Sequence, residues 1–168
     1  MWHRGSNASK PHAIPTDRII QSEDVILIDM GCKYNGYCSD MSRTIFVDKV
    51  PNNIKLAYDM VLENQNIVLN ELCEGKLIKD IALTVEKNFS LKRYNVLHAC
   101  GHGIGLECHE VPFIGTKNMN TIKENMVLAI EPGAYMTGNY GVRIEDTVLV
   151  KKNNCIELTK SEKNYIVI

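Results

Sequence analysis

The segment HACGHGIGLECHE, residues 98–110, gathers three histidines and three glycines into thirteen residues. Imidazoles at 98, 102 and 109 can ligate a metal, act as bases or donate to a developing negative charge. A helix is disfavoured, because glycines at 101, 103 and 105 would each cost roughly 1 kcal/mol there. Read as a strand of period two, the segment puts His98, Cys100, His102, Ile104 and Leu106 on one face and the glycines on the other. One face then carries ligands or bases, and the bare face lets other backbone approach closely. A tight strand crossing with satisfied core histidines would use the same residues, so their partners decide between the two.

Carboxylates supply those partners. DVILIDMGCKYNGYCSDMSRTIFV reads as two strands joined at Asn35-Gly36. Asn-Gly between apolar runs is a strong hairpin signal, since both residues tolerate positive φ. With the turn centred there, Tyr34 faces Tyr37, Gly31 faces Asp40 and Asp29 faces Ser42. Asp29 and Asp40 are then diagonal neighbours on one face, roughly 7–8 Å apart at Cα. Two converging carboxylates beside VILI repel each other and are costly to desolvate. Either one is protonated or a cation sits between them; Gly31 and the apolar approach favour the cation.

Two further acids lie where strands should be core. Glu131 follows MVLAI and precedes Pro132-Gly133, at a strand end that turns. In GVRIEDTVLV, alternation puts Arg143, Glu145 and Thr147 on one face, opposite Val142, Ile144 and Val148. Alone, Glu145 would be a surface residue paired with Arg143. Asp29, Asp40, His102, Glu131 and Glu145 together make four carboxylates and one imidazole, an oxygen-rich set suited to manganese, iron(II), cobalt or zinc. Four negative charges would neutralise two dications, and two such ions typically lie about 3.5–4 Å apart.

Helices and strands must hold these groups in place. Pro51-Asn52-Asn53 introduces a helix, with Asn52 or Asn53 as N-cap. Ile54, Ala57, Tyr58, Val61, Val68, Leu69 and Leu72 repeat at helical spacing, and Gly75 can end it. A second helix runs from Leu77 to Phe89 through Ile78, Ile81, Ala82 and Val85. Both apolar stripes read as core. The remainder is strand-rich, which gives an α+β class with helices on one face of a curved antiparallel sheet.

At 168 residues, 45% hydrophobic and 23% charged, residues 1–168 read as one domain with a real core. A net charge of -1 without charge blocks argues against a nucleic-acid groove or a membrane-facing basic patch. The longest apolar runs are too short to span a bilayer, and MWHRGSNASKPH has no signal-peptide core. The six cysteines, with no CxxC pair, therefore read as reduced thiols in a cytoplasm. Other motifs fail on inspection: GHGIG is not GxGxxG, HEVPF has Phe113 where HExxH needs histidine, and there is no GxSxG.

DMGCKYNGYCSDMSRT, HACGHGIGLECHE, EPGAY and GVRIED, in that order, resemble the pita-bread metallopeptidases, specifically the Xaa-Pro aminopeptidase and prolidase branch. The likeness runs from about Gly5 to about Leu158. Methionine aminopeptidases share the fold and a CGHGIG-like stretch, but GVRIED and EPGAY point to the proline branch. Ser42 stands where that branch more often has threonine.

The resemblance implies two divalent ions per chain, manganese first, with cobalt, iron or zinc as other choices. Asp29 would chelate one ion, Asp40 and Glu145 would bridge both, and His102 and Glu131 would complete the second. It further implies a metal-bridging hydroxide as nucleophile, with Glu131 as general acid/base. His98 and His109 would stabilise the tetrahedral intermediate and help the leaving amine. Arg143 would orient Glu145, and His12, in KPHA, would help form a proline pocket. The substrate would be a peptide with proline in its second position, and the protein a homodimer. Members of the family carry about two helices and a strand before the block that GSNASKPH resembles, and many carry a separate N-terminal domain. Only MWHR precedes Gly5, so the likeness implies a chain shortened at that end, whose exposed sheet would need a partner chain, a swapped dimer or a rearrangement. A catalytically inactive interaction module of the same fold is the alternative from another class. Methionine aminopeptidase or creatinase-like activity ranks below both.

Overall fold

The computed structural model describes residues 2–94 and 96–168. The chain opens with β1 (Trp2–Arg4) and a 3-10 turn at Gly5–Ser9, then β2 (Val25–Met30). Next come the short strands β3 (Lys33–Tyr34) and β4 (Tyr37–Cys38), and then β5 (Met41–Phe46). The Asn35-Gly36 turn has φ of 48° and 88°, the conformation that a two-residue hairpin needs. Its geometry fixes the register: Tyr34 pairs with Tyr37, Met30 with Met41 and Asp29 with Ser42, as the sequence predicts. Gly31 is bare because a Cβ there would lie 2.1 Å from the Ser39 carbonyl oxygen. That close approach tightens the base of the hairpin beside Asp40.

Helix α1 (Asn52–Glu71) follows, capped by Pro51 rather than by Asn52 or Asn53, with no side-chain cap bond. Pro51 has no N–H to leave orphaned at the helix start, so the helix begins one residue earlier than expected. The predicted stripe of Ile54, Ala57, Tyr58, Val61 and Val68 is buried, together with the polar Asn64 and Gln65. The helix ends at Glu71, and Gly75, at φ 86°, turns the connection beyond it. Helix α2 (Ile78–Leu91) buries Ile78, Ile81, Ala82, Val85 and Phe89. Full burial of such a side chain is worth roughly 1.5–3 kcal/mol, which holds α2 without a side-chain cap. Helix α1 packs on α2 and on the strands β9 and β10 introduced below. Among the described residues, no helix is long and apolar enough to cross a membrane.

The second half is strand: β6 (Gly101–Gly103), β7 (Glu110–Phe113), β8 (Val127–Ile130), β9 (Gly133–Met136) and β10 (Tyr140–Arg143). It closes with β11 (Asp146–Val150), β12 (Cys155–Glu157) and β13 (Ile166–Val167). One sheet has the order β1-β2-β5-β13, another β12-β11-β8-β6-β7, and β9 and β10 form a separate hairpin. Their apolar faces meet the helices in one cluster that includes Val25, Phe46, Tyr58, Ile81, Leu128, Val142, Ile144 and Val148. A backbone bridge between Ser42 and Glu145 joins the two larger sheets.

Two expectations need correction. The ladders were expected to be antiparallel throughout, yet β13 runs parallel to β5. It arrives by a long connection and so escapes the antiparallel constraint of a tight turn. The face shared from His98 to Leu106 also fails, because only Gly101–Gly103 is strand. Cys100 turns into the core and its thiol donates to the Ile114 carbonyl, while Leu106 is 57% exposed. The glycines serve as expected. A Cβ at Gly101 would lie 2.5 Å from the Ala129 oxygen, and one at Gly103 would lie 2.5 Å from that of Val111.

Candidate metal centre

One cleft of about 750 Å³ is lined by His12, Asp29, Asp40, His98, His102, His109, Glu131, Arg143 and Glu145. All nine residues singled out in the sequence therefore face the same space. Of the five candidate ligands, four sit at strand ends or junctions: Asp29 late in β2, Asp40 before β5, Glu131 after β8 and Glu145 between β10 and β11. His102 is the exception, mid-strand in β6, where neighbouring glycines leave its ring as the only side chain on that stretch.

Ligand atoms of Asp40, His102 and Glu145, all buried, lie within 4.8 Å of one another. His102 Nε2 is 3.8 Å from Asp40 Oδ2 and 3.7 Å from Glu131 Oε1. Its Nδ1 lies 3.0 Å from the Gly103 carbonyl. A proton on Nδ1, assigned from that partner, turns the Nε2 lone pair toward the carboxylates, the arrangement of a metal-ligating imidazole. Burial pushes the Glu131 carboxyl up to about 7; Arg143 opposes the rise, and Asp40 and Asp29 add to it. Glu145 is raised well above the ordinary range, first by burial and then by Glu131 and Asp40. Crowded carboxylates that resist ionising among themselves, facing a neutral imidazole, are a donor set that fits divalent cations.

Arg143 is expected to orient Glu145, and its Nη2 also pairs with Asp29 Oδ2 at 2.5 Å. It reaches Glu145 only through Ser42: Arg143 Nε donates to Ser42 Oγ at 2.9 Å, and that hydroxyl donates to Glu145 Oε2 at 2.6 Å. Ser42 faces Asp29 in the ladder and is bridged to Glu145, so it occupies the short path that a guanidinium would otherwise fill.

The outer histidines differ in freedom. His98 Nδ1 lies 2.7 Å from the Ala99 carbonyl, and Nε2 lies 2.9 Å from the Tyr135 hydroxyl. That hydroxyl in turn accepts from Arg143 Nη1 at 3.4 Å. Burial holds the His98 pKa down at about 4, so the ring is neutral. His109 is exposed, with its ring centroid 4.4 Å from that of His102. His12 is exposed on the same cleft.

Sequence reasoning missed Ser42, Tyr135 and a buried network behind Glu145. In that network Asp146 accepts from Arg43 Nη2 at 2.6 Å, Gln65 Nε2 at 2.9 Å and Lys163 Nζ at 3.0 Å. One signal was available: Gln65 is polar on a stripe whose neighbours Val61 and Val68 are core. Ser42 was equally readable, standing opposite Asp29 in the predicted register.

These shifts give the metal-free protein a definite pH response. Glu131 and Glu145 hold their protons to higher pH in the fold than in the unfolded chain. Their contribution is complete below about 4.5 and is lost as pH rises through the folded values. His98 and His102, lowered by burial from 6.5, act oppositely, and their contribution is fully present above that value. From pH 6.5 to about 8 only the carboxylate loss remains, so the melting temperature of metal-free protein is expected to fall. Glu131→Gln should flatten that fall. A level or rising melting temperature in wild type would refute the assignment.

Carboxylates and an imidazole converging on the inner side of packed sheets define a metal-binding class of protein. The comparisons with known proteins agree. The model for metallopeptidase family M24 matches residues 3–152, and the chain belongs to that family. It is 42% identical over 163 residues to an uncharacterized peptidase of Methanocaldococcus jannaschii, covering 94% of this chain and 46% of that protein. It is 38% identical over 165 residues to the Xaa-Pro dipeptidase of Pyrococcus furiosus, covering 96% of this chain and 47% of that one. The crystal structure of the X-Pro aminopeptidase from Thermotoga maritima superposes with a TM-score of 0.96 at 33% identity, over all of this chain and 48% of that chain. The fold is thus the pita-bread fold, and the chain spans about half the length of the curated relatives it matches.

Proposed function

We propose that this chain is a dinuclear peptidase that hydrolyses the bond between an N-terminal residue and a following proline. The observation that carries the reading is the convergence of Asp29, Asp40, His102, Glu131 and Glu145 on one cleft. Asp29 would hold one ion, His102 and Glu131 the other, and Asp40 and Glu145 both. When bound, two divalent ions supply a Lewis acid for the scissile carbonyl and lower the pKa of water.

The chain's own groups do the rest. Glu131, at the edge of the centre, would take a proton from the attacking water and return it to the leaving amine. His109, exposed in the cleft, can donate to the carbonyl oxygen as charge develops there. His98 is held by Tyr135 and Ala99 with Nδ1 3.9 Å from Glu131 Oε2, and so would limit how that carboxyl can swing. His12 supplies a wall for the residue in the second position. Arg143 and Ser42 keep Asp29 and Glu145 in place. Residues 1–168 act in this reading as one catalytic-type domain.

The donor set would suit manganese, cobalt, iron or zinc, and its oxygen-rich character favours manganese. Manganese titration into chelator-stripped protein by calorimetry, followed by assay with Xaa-Pro peptides, tests the reading. Two ions per chain and release of the residue before proline are expected, with no turnover of Met-Ala peptides or creatine. Two ions without turnover would overturn the catalytic part and leave an inactive module of this fold. No binding would overturn the centre itself.

A further inference from the structure

The mouth of the cleft carries a second donor set, distinct in chemistry from the buried one. A carboxylate oxygen of Asp40, the Cys108 sulfur and a ring nitrogen of His109 lie within 4.8 Å of one another. The Cys108 thiol donates to Asp40 Oδ2 at 3.2 Å, so a single proton lies between two potential ligands. Two other thiols line the cleft but are turned elsewhere. Cys38 donates to the Leu106 carbonyl at 3.6 Å, and Cys32 lies 3.3 Å from Ser39 Oγ.

We propose that Asp40, Cys108 and His109 form an additional cation site, selective for thiophilic divalent ions such as zinc. One sulfur, one nitrogen and one oxygen with a position left open is a donor set that zinc accepts and manganese does not favour. Zinc with ligands at about 2.0–2.3 Å spaces its donors roughly 3.3–3.8 Å apart, so the three groups need to close by only about 1 Å. His109 is exposed and can make that movement, whereas Asp40 is buried and fixed. On binding, the ion takes the place of the thiol proton, which leaves to solvent, and sulfur, nitrogen and oxygen each form one bond to the metal. The Asp40 carboxylate has about four lone-pair positions on its two oxygens, so it can hold the buried ions and also reach this one.

An ion held there stands where a peptide must enter and occupies the ring assigned above to the substrate. Zinc in excess would then obstruct a site that manganese leaves open. The donor set itself does not depend on the catalytic reading.

Cobalt(II) is the probe, because a cobalt–thiolate bond gives a near-ultraviolet charge-transfer band that oxygen and nitrogen ligands do not. Wild-type protein at saturating cobalt is expected to show the band, Cys108→Ser to lose it and Cys38→Ser to keep it. Mass spectrometry under native conditions should find one more zinc than manganese per wild-type chain and equal numbers in Cys108→Ser. Absence of the band in wild type, or its persistence in Cys108→Ser, would overturn the site. The wild-type spectrum decides even if a variant misfolds. Failure of manganese binding or of peptide hydrolysis leaves this reading intact, so the two proposals fail separately.

Discussion

Alanine at position 145 is expected to abolish Xaa-Pro hydrolysis and to reduce the manganese bound per chain. Glu145 is 2% exposed, is fixed by the Ser42 hydroxyl, and shares a ligand cluster with Asp40 and His102. It is proposed to serve both ions, so its loss removes a ligand from each. Removing a mere hydrogen-bonding partner of a ligand costs about 10–100-fold in affinity or activity, and a bridging ligand should cost well beyond that range. A melting temperature of the metal-free variant close to that of wild type would show that the fold survives the change. Those two results together separate loss of ligation from loss of fold. Calorimetry showing the wild-type number of ions, or hydrolysis within tenfold of wild type, would sink the assignment.

The second large effect is structural. Asp146 is fully buried and takes hydrogen bonds from Arg43, Gln65 and Lys163. Arg43, itself buried, also donates to the Ser42 carbonyl at 2.8 Å and to that of Glu145 at 2.6 Å. Asp146→Ala would leave the buried Arg43 guanidinium without its counter-charge, while the Lys163 ammonium keeps Glu157. Removing one partner of such a pair costs roughly 3–5 kcal/mol, a large share of the 5–15 kcal/mol typical of a folded domain. At about 2–4 °C per kcal/mol for a chain of this size, thermal melting should fall by roughly 6–20 °C. Metal affinity should fall with it, because Arg43 holds the backbone of both Ser42 and Glu145. A drop of less than about 2 °C would show that the network is peripheral.

Local chemistry explains what was legible in the sequence. The Asn35-Gly36 turn sets the register of the whole hairpin, so the Asp29–Ser42 pairing could be counted outward from it. Helical spacing gave both stripes, since burial and period agree at Ile54, Ala57, Tyr58 and Val61. What escaped depends on partners distant in the chain. Cys100 turns inward because Ile114 offers its carbonyl there, and the parallel pairing of β13 depends on an edge of β5 more than a hundred residues earlier. The path of Arg143 to Glu145 runs through Ser42, a residue the register places opposite Asp29 but whose two partners lie about a hundred residues further along the chain. The Asp146 network has ends in α1, β5 and the C-terminal segment, and only Gln65 betrayed it.

The Ser42–Glu145 bridge lies on the seam between two sheets. Asp29 and Asp40 belong to the hairpin on one side of it, and His102 and Glu131 to β6 and β8 on the other. An ion coordinated from both sides cannot leave quickly while the seam is shut, and the seam cannot part while the ion is held. Release of a cation proposed to sit there would therefore be coupled to parting of the two sheets, through the hydrogen bonds around one serine.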